Sequence, residues 1–320
     1  LPQEWARTQL ALGLALQTQG RQTSGEAGTQ LLAQAVEAYR AALTVYTKDA
    51  LPQQWATTQL TLGLVLQAQG ERTSGEAGSQ LLTQAIEANQ AALTVNTKDA
   101  LPQQWAATQL TLGLVLQTQG ERISGEASTR LLAQAVDAFK LALTVFTKGT
   151  FPQQWIALQI ALGSVSQSQG QRTSGEASTQ LLAQAAEAYR SALTVYTKAA
   201  LPQDWAKTQN RLGSVLWNQG TRTSGEAGTQ LLAQAIEAYK AALTVYTKDA
   251  LPQQWAATQI ALGLVLQTQG ERTSGESGTQ LLAQAIDAYK AALTVYVKDA
   301  LPQDWAKTQA ALGFILETQS

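Results

Sequence analysis

The sequence predicts an all-α protein, an α-solenoid of stacked antiparallel helix hairpins, and three observations carry that expectation. Tryptophan recurs every 50 residues, at Trp5, Trp55, Trp105, Trp155, Trp205, Trp255 and Trp305, each with Pro three positions earlier. Within every unit two stretches carry apolar residues at the helical period of 3.6. Strand-type alternation is absent throughout. Near-identical units at a fixed period make one array in which each unit packs on its neighbours. The expected organisation is a single array over 1–320. It comprises the repeats 1–50, 51–100, 101–150, 151–200, 201–250 and 251–300 and a terminal half-repeat helix over 301–320, thirteen helices in all.

The first helix of each unit opens with Pro at its first position (Pro2, Pro52), where the missing N–H is no loss. It is expected to close at Gly20, Gly70 or Gly120, placed like C-terminal caps. Trp5, Gln9, Leu12 and Leu16 are spaced i, i+4, i+7 and i+11, so they share one face, expected to be buried. The second helix begins near Thr23-Ser24-Gly25-Glu26. Thr23 with Glu26 resembles a capping box, but Ile123 replaces the Thr in the third copy, which makes Ser24 the safer cap. Leu32, Ala35, Tyr39, Ala42, Leu43 and Tyr46 form one apolar stripe and Leu31, Ala38 and Val45 another. Two stripes require cover on two sides, which a stack of hairpins supplies. Mid-helix Gly13 and its counterparts are expected to permit close helix approach, since Gly there otherwise costs about 1 kcal/mol.

Composition excludes much chemistry. The chain has no His and no Cys, the commonest metal ligands, thiol nucleophiles and neutral-pH proton shuttles. No cofactor or metal is expected. Only 14% of the residues are charged and the net charge is −1, so no basic field exists to hold nucleic acid or an anionic membrane surface. Apolar residues make up 45% of the chain without a membrane-length run. With no Met, residue 1 reads as the start of a segment of a longer protein or of an engineered chain, and the expected location is cytoplasmic. Glu26, Glu37 and Lys48 recur in the units, which suits caps and solvated faces rather than a catalytic constellation, and neither GxxxxGK[ST] nor GxGxxG occurs. The chain is expected not to be an enzyme. Gln is abundant at 44 residues. Gln9 and its counterparts on the apolar stripe either bridge to the adjacent hairpin or grip the backbone of an extended ligand.

Leu12-Gly13-x-x-Leu16, Gly20 and Ala35-x-x-x-Tyr39-x-x-Ala42-Leu43 resemble the tetratricopeptide repeat over nearly the whole chain. The family unit has 34 residues, so each copy carries 16 more, about ten between the helices and about six before the Leu-Gly pair. Trp-Ala-x-Thr-Gln-x-x-Leu-Gly is similar to the long tetratricopeptide-like repeats of bacterial signalling proteins. The resemblance implies a right-handed superhelix whose first helices line a concave groove for peptide or protein partners, through positions 7, 10, 11, 14, 17 and 18 of each unit.

Differences between copies concentrate at those positions in the fourth and fifth units. There the groove would present Ser164, Ser168, Lys207, Asn210, Arg211, Ser214, Trp217 and Asn218, an aromatic, two cations and small polar groups that suit a recognition patch. The competing explanation is repacking, because Ser166 and Ala186 are smaller and Phe151, Ile156 and Leu158 larger than their counterparts. In tetratricopeptide domains that clamp a C-terminal carboxylate, Lys207 and Arg211 match the cationic pair of the third repeat. Leu110, Leu114 and Ala161 replace the remaining clamp positions, so any carboxylate capture would be partial. Arg72, Arg122, Arg172, Arg222 and Arg272 are expected to form a solvated row beside Glu71, Glu121 and Glu271. The expected function is a non-catalytic protein- or peptide-interaction scaffold within a larger bacterial protein. The alternative is a structural spacer or self-associating element, joined weakly through apolar end faces such as that near Phe314 and Ile315.

Overall fold

The computed structural model describes residues 1–317. Its thirteen helices are α1 (Pro2–Gln22), α2 (Gly25–Leu43), α3 (Pro52–Arg72), α4 (Gly75–Leu93), α5 (Pro102–Arg122), α6 (Gly125–Leu143), α7 (Pro152–Arg172), α8 (Gly175–Leu193), α9 (Pro202–Arg222), α10 (Gly225–Leu243), α11 (Pro252–Arg272), α12 (Glu276–Leu293) and α13 (Pro302–Glu317). No strand occurs among the described residues. The expected helix over 301–320 is present to Glu317, and 318–320 lie outside the described residues. The chain forms two compact units, Leu1–Ser168 and Gln169–Ser320. In the first, α1 pairs with α2, α3 with α4 and α5 with α6, and α2 packs on α3 and α4 on α5. In the second, α9 pairs with α10 and α11 with α12, while α8 packs on α9, α10 on α11 and α12 on α13. Each unit is thus a stack of helix hairpins. No described helix is long and apolar enough to cross a membrane.

The core follows the second-helix stripe. Leu32, Ala35, Val36, Ala38, Tyr39, Ala42 and Tyr46 are buried, as are most of their counterparts in later copies. The Tyr39 ring lies against Gly13, where an added Cβ would sit 2.6 Å from its Cε1. Gly263 faces Tyr289 in the same way, with a Cβ 2.7 Å from Cε1. Close approach is therefore the reason for glycine at this position. The Tyr39 hydroxyl donates to Gln17 Oε1 at 2.8 Å, and the Tyr289 hydroxyl to Gln267 Oε1 at 3.1 Å. Burial pushes the Tyr39 phenol up to about 12 and raises Tyr289 further. A phenol that ionises at higher pH when folded contributes stability that is whole below pH 10 and lost as pH rises through the folded value. Alkaline titration followed by circular dichroism should show helicity holding to about pH 10 and falling above it. A helix signal constant to pH 13 would contradict this.

Several local expectations are corrected. Gly20 is not a cap, because α1 runs two residues past it to Gln22. It is a contact position, where a Cβ would lie 3.0 Å from Leu32 Cγ and 3.1 Å from the Gly28 carbonyl oxygen. No capping box forms. Ser24 occupies the N-cap of α2 but makes no side-chain cap bond, and the Thr23 hydroxyl turns back to the Gln19 carbonyl at 2.9 Å. The chain reverses at Gly25, whose φ of +69° is the left-handed conformation that a side chain disfavours, and the same value recurs near +70° at the five counterparts.

The Trp5 stripe is only partly buried. Ala56, Thr58, Leu62, Val65 and Leu66 form the buried face of α3, while Trp55 and Gln59 are half-buried. Lysines from the preceding turn lie over the indoles of Trp55, Trp105, Trp155, Trp205 and Trp305, with Lys48 Nζ 5.8 Å from the Trp55 ring centre and Lys98 Nζ 5.5 Å from that of Trp105. Threonine is a recurrent buried polar group of the first helices, whereas Gln9 and Gln59 are half-buried and only their counterpart Gln109 is buried. Thr58, Thr108, Thr208 and Thr258 each donate their hydroxyl to the carbonyl four residues earlier at 2.7 Å.

The arginine row is not a solvated ion-pair row. Arg72 spreads its fork over the end of the preceding hairpin's first helix, donating Nη1 to the Gly20 and Thr23 carbonyls at 2.7 and 2.9 Å and Nη2 to Arg21 O at 3.0 Å. Arg122 does the same to Thr73 O and Glu71 O at 3.0 and 2.9 Å, and Arg272 to the carbonyls of Gly220, Thr221 and Thr223 at 2.8, 2.9 and 3.3 Å. The last carbonyls of a helix have no partner within it and carry the negative end of its dipole, so a guanidinium from the next repeat answers both. Glu71 instead accepts from Gln67 at 2.9 Å. Where Ser replaces Gly28, the loop shifts to admit a side chain. Ser178 then donates to Gly170 O at 2.7 Å and accepts from Arg222. Arg72→Ala should cost about 1–2 kcal/mol, and Arg72→Lys should not restore it, since one ammonium cannot span the three carbonyls. Urea unfolding of the three proteins checks this, and full rescue by Lys would show that charge alone matters.

Candidate functional site

The second unit contains a cleft of about 500 Å3 between the first helices of the fifth and sixth repeats, α9 and α11. Gln203, Asp204, Lys207, Asn210 and Arg211 of α9 form one wall. Gln254, Ala257 and Thr258 of α11 form the other, with Leu251 and Tyr246 between them. Asp204, Lys207 and Arg211 share one side of α9 because they stand at i, i+3 and i+7. Asn210 donates Nδ2 to the Thr258 hydroxyl at 2.6 Å and so ties the two walls together. Tyr246 is buried, which raises its pKa, while Arg211 opposes that shift and Asp204 adds to it. Charges of both signs therefore reach the same phenol. Among the described residues no ion pair involves Asp204, Lys207 or Arg211.

The eight sequence candidates do not converge on one place. Lys207, Asn210 and Arg211 line the cleft. The Trp217 indole N–H donates to Thr268 Oγ1 at 3.3 Å on α11, and Asn218 Nδ2 donates to the Ser214 carbonyl at 2.8 Å. Ser214 also hydrogen-bonds the Tyr239 hydroxyl, whose pKa burial raises strongly. Trp217 and Ser214 thus tie α9 to its neighbours, whereas the Asn218 bond stays within α9. Ser164 and Ser168 belong to the other unit, in a polar cluster where Ser164 Oγ accepts from Gln117 at 3.0 Å and Ser168 Oγ donates to Glu121 Oε1 at 2.7 Å. Ile156, Leu158 and Ser166 are buried, and Phe151 stacks edge-on against Phe146 with ring centres 5.2 Å apart, so the larger and smaller residues of the fourth copy are core positions.

Asp204 and Tyr246 were missed as lining residues. The signal for Asp204 was present, because Gln54, Gln104, Gln154 and Gln254 stand at its position in four other copies. Tyr246 carried none, since Tyr or Phe stands there in most copies as part of the core. No group of three or more His, Cys, Asp or Glu able to hold a metal occurs among the described residues.

No family model matches the chain, and no curated protein matches it. Solved structures do. The hypoxic regulator of sterol synthesis Nro1, a nuclear import adaptor, is 12% identical with a TM-score of 0.54, over 97% of this chain and 96% of that one. A second structure of this import adaptor, from S. pombe, is 13% identical at a TM-score of 0.53, over 96% and 99%. The MamA protein is 18% identical over 77% of this chain and 94% of that one, at a TM-score of 0.47. The likeness to Nro1 is one of fold: a helical repeat protein.

Proposed function

We propose that this chain is a non-catalytic scaffold that binds a protein or peptide through the cleft between α9 and α11. The observation that carries the reading is the pair Lys207 and Arg211, cations lining one cleft that form no ion pair among the described residues. Nro1 is an adaptor with the same kind of fold, which supports a binding rather than a catalytic reading. Placement in a larger bacterial signalling protein rests on the Trp-Ala-x-Thr-Gln-x-x-Leu-Gly resemblance. The test is selection from a displayed random peptide library by the intact chain and by a Lys207→Gln, Arg211→Gln variant of equal helicity. Sequences enriched by the first and lost by the second support the cleft. Equal enrichment, or none, overturns it.

A second reading has its own observation. Leu12 and Leu14 of α1 and Phe314 and Leu316 of α13 are about half exposed, with values from 47% to 58%, whereas Leu62, Leu112, Leu212 and Leu262 are buried. Ile315, expected on the uncovered face, is fully buried. These leucines and Phe314 support weak self-association. Sedimentation should then show mass rising between micromolar and near-millimolar protein, and a constant monomer would sink it.

A further inference from the structure

Three charges line the cleft, two of which recur in the terminal half-repeat as Asp304 and Lys307, with Ala311 in place of the third. Positions 4, 7 and 11 hold Gln54, Thr57 and Thr61 in the second copy and Gln254, Ala257 and Ala261 in the sixth, and no charge in the third or fourth. The fifth copy alone places three charges there, Asp204, Lys207 and Arg211. In the first copy Glu4 and Arg7 stand at two of these positions and pair with each other at 3.8 Å. Asp204 is one methylene shorter, and no ion pair joins it to Lys207 among the described residues. The facing wall offers Gln254, Ala257 and Thr258, none of which can neutralise an ion. Two cations and one anion thus line a cleft of about 500 Å3 without forming an ion pair among the described residues.

We infer that the cleft takes an extended segment bearing both charges, a basic side chain set against Asp204 and an acidic one between Lys207 and Arg211. The midpoint between Lys207 and Arg211 lies about 7.5 Å from position 204 along α9 at about 1.5 Å per residue. An extended chain advances about 3.3 Å per residue, so the two charged residues of the partner stand two or three positions apart. Asn210, held by Thr258, fixes the spacing of the walls, and the buried Tyr246 ring provides an apolar floor beneath the segment. Opposite charges at both ends also set the direction in which the segment lies, because reversal would bring like charges together. The inference rests on the cleft being the binding site and adds the chemistry of what it binds.

The experiment uses the intact chain and a library of short peptides, acetylated and amidated at their ends, with Lys, Glu or Gln at each of two positions spaced by one to three residues and random residues elsewhere. Enrichment of Lys-and-Glu members by about ten-fold over members with either charge alone is expected, the size of one charge-assisted hydrogen bond. Asp204→Asn should remove the preference for Lys and leave that for Glu. Arg211→Gln should remove the preference for Glu and leave that for Lys, with helicity unchanged in both. Enrichment of peptides bearing Glu alone, unaltered by Asp204→Asn, would overturn the inference and leave the cleft as an anion-binding groove. Enrichment indifferent to all three residues, or none, would overturn the cleft reading with it.

Discussion

Asn89→Tyr is expected to stabilise the first unit by about 3 kcal/mol, the largest gain open to a single change in this chain. Asn89 is fully buried at a position held by Tyr39, Phe139, Tyr189, Tyr239 and Tyr289 in the other copies. Its Nδ2 donates to the Ala85 carbonyl at 2.7 Å, but its Oδ1 has no partner, which costs about 1–3 kcal/mol. A ring there would bury about as much apolar surface as other core aromatics, worth about 1.5–3 kcal/mol. Gly63 leaves the room that Gly13 leaves for Tyr39, and Gln67 stands where Gln17 accepts the Tyr39 hydroxyl. Hydrogen exchange of the α3 and α4 amides should slow, since a repeat array loses structure hairpin by hairpin. Unchanged exchange would mean that the neighbouring side chains have closed over the space.

Gly263→Val should have the largest opposite effect, about 3 kcal/mol of destabilisation. Its Cβ would lie 2.7 to 3.1 Å from three atoms of the Tyr289 ring, which is fully buried and has nowhere to move without breaking its bond to Gln267. Gly313 stands at the same position of α13, where an added Cβ meets nothing within 4 Å. Gly313→Ala should therefore stabilise by up to about 1 kcal/mol through helix propensity alone. Thermal unfolding of both variants separates packing from propensity. Equal shifts in one direction would show that the tyrosine does not enforce the glycine.

Much of the fold was legible because helices write their buried face into local spacing. The stripe through Leu32, Ala35, Tyr39 and Ala42, the opening prolines and Gly13 were all read from distances of a few residues along the chain, and the core follows them. The site was half legible. Lys207, Asn210 and Arg211 stood out because neighbouring copies differ there, but the same signal also singled out Trp217, which bonds to α11, and Asn218, which bonds within its own helix. A departure from the repeat marks a changed environment without telling a ligand from a neighbouring helix.

The sequence alone determined the hairpin, its period and which side of each second helix is buried, since these follow from residues close together in the chain. Only the tertiary structure decided what the arginines do. Arg72 meets carbonyls 49 to 52 residues earlier, and a backbone carbonyl leaves no mark on the sequence. The same holds for Gly20, which packs on Leu32 instead of ending its helix, and for the cleft, whose two walls come from helices 50 residues apart. Periodicity reports which side of a helix avoids water, whereas the groups that meet across helices depend on how the hairpins stack.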